Sequence, residues 1–163
     1  MKDGLVIDEE GTRRWYQNDR LHREDGPAVE RANGNHWWYQ YGDLHRTDGP
    51  AVEVLNGNRY WYQNGLRHRT DGPAIEYTNG ERSWYQKGQL HRADGPAVEY
   101  PTGTRLWLQD EKKHRTDGPA IEYANGDSYW YINDTEYSFE EYVDQIYPNN
   151  TKEKTLFILK WSK

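Results

Sequence analysis

NGNRYWYQNGLRHRTDGPAIEYT, residues 56–78, decides the fold. Asn79-Gly80 starts the same string again, and reading outward in both directions finds it repeatedly. H-R-x-D-G-P-A begins at His22, His45, His68, His91 and His114, in steps of 23 residues. Trp15, Trp38, Trp61, Trp84, Trp107 and Trp130 keep this period, as do Gly11, Gly34, Gly57, Gly80, Gly103 and Gly126. Five full copies and a partial sixth, without insertion or deletion, define a tandem-repeat protein in which one supersecondary unit recurs.

The repeat reads as β structure. Asn33-Gly34, Asn56-Gly57, Asn79-Gly80 and Asn125-Gly126 are hairpin signals, because both residue types tolerate positive φ. A second turn follows each aromatic cluster, at Tyr41-Gly42, Asn64-Gly65 and Lys87-Gly88. The segments between turns are aromatic and β-branched, as in residues 59–63 and 74–77. Proline has no N–H, so Asp-Gly-Pro is expected to bulge or kink the return strand between Leu-His-Arg and Ala-Val-Glu. One repeat therefore predicts about one hairpin, with adjacent Trp and Tyr on opposite faces.

The 163 residues are 34% hydrophobic and 29% charged, a balance that leans toward disorder. The 8 Trp and 14 Tyr oppose that reading, since disordered chains are poor in aromatics. Amphipathic rings are expected to supply most of the buried surface. A net charge of −6 disfavours broad nucleic-acid binding. With no cysteine, disulfides and thiolate metal sites are excluded. The start of the chain has no apolar signal-peptide core, and no apolar run is long enough to span a membrane.

The ends depart from the repeat. Leu5-Val-Ile7 predicts an added N-terminal strand. After Trp130-Tyr131 the H-R-x-D-G-P-A string is gone. Ser138 with Glu141 forms a capping-box pattern, and Phe139, Tyr142, Val143 and Ile146 recur at helical spacing. This predicts a helix over about 138–147, ended by Pro148-Asn-Asn150, and a strand over about 155–161. The expected organisation is a hairpin-repeat array over residues 1–136 with a small α/β cap over 137–163.

These features resemble the MORN repeat family, over residues ~10–136. In Tyr85-Gln-Lys-Gly88-Gln-Leu-His91 the aromatic-x-x-Gly-x-x-His spacing matches, and Tyr77-Thr-Asn-Gly80 matches the closing turn. The departure follows the histidine, where MORN units have glycines and this chain has Arg-x-Asp-Gly-Pro-Ala. The resemblance implies an all-β, elongated, twisted antiparallel meander of hairpins. It implies a scaffold or binding module rather than an enzyme. The H-R-x-D-G-P-A variant, with its Tyr-Ser-Phe-Glu-Glu ending, resembles proteins of bacteriophages and large DNA viruses.

His22, His45, His68, His91 and His114, with Asp25, Asp48, Asp71, Asp94 and Asp117, invite a metal or acid–base reading. Equivalent residues of stacked hairpins would lie roughly 9–10 Å apart. Ligands of one zinc ion lie about 3–4 Å from each other. Five equal copies also offer no unique catalytic constellation. The histidines are therefore expected to wedge between repeats, each bonded to the Asp side chain or to a turn backbone group. Arg23, Arg46, Arg69, Arg92 and Arg115 are expected to pair with Glu30, Glu53, Glu76, Glu99 and Glu122, seven residues on. The candidate binding residues are Trp37, Trp38, Tyr39, Trp61, Tyr62, Trp84 and Tyr85, with Asp110 and Glu111 where the turn glycine is lost. Trp37 breaks the pattern, since other repeats have Tyr60, Ser83, Leu106 or Tyr129 there.

The function expected is non-enzymatic protein binding, without cofactor, metal or membrane insertion. If the viral resemblance holds, the partner is a host protein in the host cytoplasm, with inhibition of a host defence or nucleic-acid machine as the most specific form. The alternatives are a small-ligand or glycan module using aromatic slots between repeats, and a self-associating structural component. The sequence leaves the oligomeric state open.

Overall fold

A computed structural model describes residues 1–149 and 151–162. Asn150, from the stretch expected to end the first helix, and Lys163 lie outside the described residues. The chain forms two compact units, Met1–Gln89 and Leu90–Lys163. Each contains an antiparallel meander of short strands joined by hairpins, and the C-terminal unit also carries a pair of helices.

In the N-terminal unit the strands follow in the order Gly4–Ile7, Arg13–Gln17, Val29–Glu30, His36–Trp37, Val52–Glu53, Arg59–Tyr60, Ile75–Glu76 and Arg82–Ser83. The expected N-terminal strand is present, with Leu5 opposite Trp15. Across the sheet, Val29 pairs with Trp37, Trp37 with Val52, Val52 with Tyr60, and Tyr60 with Ile75. Directly paired residues share a face. The other face therefore carries Glu30, His36, Glu53, Arg59 and Glu76.

Each repeat holds two hairpins rather than one, and they meet at the tryptophan. The short strand His36–Trp37 belongs to the main sheet, whereas Tyr39–Gln40 pairs only with Asp43–Leu44 in a separate ribbon. Trp38 stands between them. Its N–H donates to the Ala51 carbonyl at 2.8 Å, and its own carbonyl accepts from the His45 N–H at 3.0 Å. Trp61 does the same with Ala74 and His68. Successive ribbons are tied together by Gly42 N–H to the Leu21 carbonyl, Gly65 to Leu44, and Gly88 to Arg67, each at 2.9 Å.

The two turns differ in type. At Tyr41-Gly42 both residues have positive φ, 51° and 94°, the two-residue turn whose twist suits a tight hairpin. The Asn-Gly turns are not of this kind. Only the glycine is left-handed, with φ of 91° at Gly57. Gly57 N–H donates to the Val54 carbonyl, and Asn58 N–H donates to the Asn56 side chain at 3.0 Å. The asparagine acts through its side chain, as an Asx turn leading into a glycine bulge.

In the C-terminal unit the meander runs Val98–Glu99, Arg105–Leu106, Ile121–Glu122, Ser128–Ile132 and Thr135–Tyr137. Helix α1, Phe139–Ile146, starts at a complete capping box between Ser138 and Glu141. Helix α2 spans Thr151–Trp161 and corrects the strand expected over 155–161. The run Leu156-Phe-Ile-Leu159 suits either structure by composition. Packing decides it, because Phe157 and Trp161, four apart on a helix, both reach the Trp130 ring. Trp130 has no following H-R-x-D-G-P segment to cover it. Phe139, Tyr142, Phe157 and Trp161 cover it instead, with ring centroids 4.7–5.9 Å away. Lys154 pairs with Asp144 to join the helices. The Tyr142 hydroxyl donates to the carbonyls of Arg115 and Gly118 at 2.7 and 3.2 Å. Burial pushes that phenol far above its usual range.

Candidate functional site

The repeated H-R-x-D-G-P-A string builds one recurring joint. The guanidinium of Arg23 lies 4.0 Å over Trp15, Arg46 4.1 Å over Trp38, Arg69 4.0 Å over Trp61, and Arg115 3.9 Å over Trp107. Arg69 Nε donates to Asp71 at 2.9 Å, and its Nη1 donates to Glu76 at 2.9 Å and to the Pro73 carbonyl at 3.1 Å. The other four arginines repeat this geometry, so the expected Arg–Glu pairing is present in all five repeats. The glycine of Asp-Gly-Pro leaves room for the guanidinium. A Cβ there would stand 2.6–3.0 Å from the guanidinium carbon at Gly26, Gly49, Gly72, Gly95 and Gly118. The alanine that follows is fully buried in every copy.

The histidines join successive repeats through a turn backbone group. His22 Nδ1 accepts from Tyr41 N–H at 3.2 Å, His45 from Asn64, His68 from Lys87, His91 from Asp110 and His114 from Asn133. The aspartates do not bond the histidines of their own string. They hold the arginine Nε, and that arginine bond keeps Asp25, Asp48, Asp71 and Asp94 below the usual carboxylate range. Among the described residues, no group of three or more His, Asp or Glu side chains is arranged to hold a metal ion.

Recesses between repeats do exist. One of about 590 Å³ is lined by Arg23, Asp25, Trp38, Gln40, His45 and Arg46 among others. Its equivalents measure about 530 Å³ around Trp61 and about 400 Å³ around Trp107. Their walls are mostly polar, and a guanidinium already covers one face of each of these tryptophans.

The candidate residues therefore divide. Trp38 and Trp61 belong to the joints. Trp84 is half-buried at the same repeat position. Asp110 and Glu111 form the turn that replaces the glycine, with φ of 49° and 67°, and Asp110 also approaches His91 Nδ1 at 2.9 Å. Trp37, Tyr39, Tyr62 and Tyr85 belong to a different surface. Trp37 shares the main-sheet face with Tyr60, and Tyr60 meets Tyr77 edge to face at 5.8 Å. Burial raises the Tyr39 phenol, with Tyr62 adding to the effect and Arg31 opposing it. Arg67 Nε donates to the Tyr62 hydroxyl at 3.2 Å and its Nη1 to the Tyr85 hydroxyl at 3.5 Å. Half-buried and linked through Arg31 and Arg67, these rings make up a tyrosine face.

No protein-family model matches this chain, and no curated protein does. Among the described residues, no helix is long and apolar enough to cross a membrane. Sequence reasoning missed Arg31, Tyr60, Tyr77 and Arg67 as parts of this face. A signal for Arg67 was available: Leu21, Leu44 and Leu90 hold its position in three other repeats, and Lys113 in the last.

Proposed function

We propose that this chain is a non-enzymatic binding scaffold that engages a protein partner through the tyrosine face of its N-terminal unit. The observation that carries this reading is the difference between the two ring systems. The tryptophans of the joints are covered by arginines whose charges are answered internally by Asp and Glu. Trp37, Tyr39, Tyr60, Tyr62, Tyr77 and Tyr85 are half-buried like the joint tryptophans, but the cations beside them, Arg31 and Arg67, have no carboxylate partner among the described residues. Large rings with a polar tip, clustered on one surface, are the residues that dominate protein interfaces. Five equal H-R-x-D-G-P-A strings give no repeat a distinct catalytic constellation, which favours binding over catalysis. The guanidinium over one face of each joint tryptophan and the polar walls of the recesses weigh against the glycan-slot alternative, because they leave little apolar surface for a sugar ring. The MORN-like spacing supports the scaffold reading, and the H-R-x-D-G-P-A variant supports a viral protein that inhibits a host machine in the cytoplasm.

The test is affinity capture from host lysate with the tagged protein and a Trp37→Ala variant. The expected result is a discrete, saturable partner retained by the wild type and lost by the variant at unchanged melting temperature. Equal capture by both proteins overturns the choice of surface. Calorimetric binding of several oligosaccharides per chain overturns protein binding in favour of the slot alternative.

A further inference from the structure

We infer that Arg67 is a carboxylate-binding residue within the tyrosine face, and that the partner segment this face accepts is acidic. The inference rests on the protein-binding reading above and specifies its ligand chemistry. The other half-buried arginines of the N-terminal unit have an acid. Arg23, Arg46 and Arg69 each hold two carboxylates, and Arg14 meets Asp8 at 2.6 Å. Arg67 is also half-buried, yet among the described residues no carboxylate lies within ion-pair distance of it. Its polar neighbours are two phenols, and its guanidinium lies 5.2 Å from the Tyr85 ring centre. A half-desolvated cation held by neutral groups gains most from an incoming anion.

The neighbours of Arg67 suit such an anion. Tyr62 and Tyr85 accept hydrogen bonds from Arg67, which leaves each hydroxyl proton free to be donated. A guanidinium beside two phenol hydroxyls is a donor set for one carboxylate. Arg31 adds a second cation on this surface. It stands where other repeats have Val54, Tyr77, Tyr100 and Tyr123. Its guanidinium lies 4.7 Å over Trp37, also without a carboxylate partner among the described residues. Arg31 and Arg67 are thus two basic departures at positions where the neighbouring repeats have Val54 and Tyr77, or Leu21 and Leu44. A singly charged carboxylate on a peptide with apolar neighbours matches isolated cations among rings. A polyanion does not, because the chain carries a net charge of −6.

The experiment is selection of displayed random 12-residue peptides on the immobilised full chain, on Arg67→Leu and on Trp37→Ala. Leucine is chosen because Leu21 and Leu44 show that the fold accepts it at this position. The expected wild-type consensus is an Asp or Glu flanked by apolar residues. Arg67→Leu should lose the acidic position and keep the apolar ones, at unchanged melting temperature. For one selected peptide, replacing its acid by the amide should weaken wild-type binding by roughly tenfold or more, with no change on Arg67→Leu. A consensus that is apolar without an acid, and lost with Trp37→Ala, overturns the role of Arg67 and leaves the tyrosine-face reading standing. No consensus on any of the three proteins overturns both. Arg67-dependent binding to vesicles containing phosphatidylserine, without peptide enrichment, overturns the peptide in favour of a lipid headgroup.

Discussion

The guanidinium of Arg69 lies 4.0 Å over the ring of Trp61. A Cβ on Gly72 would stand 2.8 Å from its central carbon. The arginine is therefore held between a π face and a backbone where an added Cβ would meet it. Its two carboxylates fix its rotation, one nearly fully exposed and one half-buried. The tryptophan stack recurs at Arg23, Arg46 and Arg115, and the glycine and carboxylate contacts recur in all five strings.

Gly72→Ala should displace the Arg69 side chain and lower stability by about 1–3 kcal/mol, the usual cost of overpacking. Urea unfolding should show this as a lower midpoint. An unchanged midpoint would mean that the guanidinium can leave its seat freely.

Acid should weaken the joints. Arginine bonds hold Asp25, Asp48, Asp71 and Asp94 below their ordinary value of 3.8. A carboxylate depressed in the folded state contributes stability that is present above 3.8 and lost as pH falls through the folded value. The melting temperature should thus fall below about pH 4. Asp48→Asn together with Asp71→Asn should flatten that fall, measured by calorimetry across pH.

Glu111 occupies the turn position that glycine holds at Gly42, Gly65 and Gly88, with φ of 67°. Left-handed backbone costs a side chain such as glutamate about 1 kcal/mol relative to glycine. Glu111→Gly should raise stability by roughly that amount, read from the thermal midpoint.

Tyr142→Phe removes the donor to the carbonyls of Arg115 and Gly118. Stability should fall by about 1–3 kcal/mol, because both acceptors are left without that donor. Hydrogen exchange should rise first in α1 and α2, whose packing this hydroxyl anchors.

The period of 23 residues alone determined that the chain is a series of β-hairpins, where the turns fall, and that the terminal segment departs from the pattern. It also determined the Arg–Glu pairing, because both partners recur in every copy at one spacing. The capping box of α1 was equally legible, since its hydrogen bonds are local in sequence. Other features waited for the tertiary structure. Leu156-Phe-Ile-Leu159 has no preference between strand and helix until Phe157 and Trp161 meet Trp130. The sequence marks Asp-Gly-Pro as a bulge or kink, and only the seat of the arginine shows what its glycine makes room for. Trp37, Tyr39, Tyr62 and Tyr85 stood out in the sequence, but Arg31, Tyr60, Arg67 and Tyr77 did not. Arg67 reaches Tyr85 from 18 residues away. A local pattern specifies what each repeat makes by itself, whereas the open surface depends on side chains from several repeats converging.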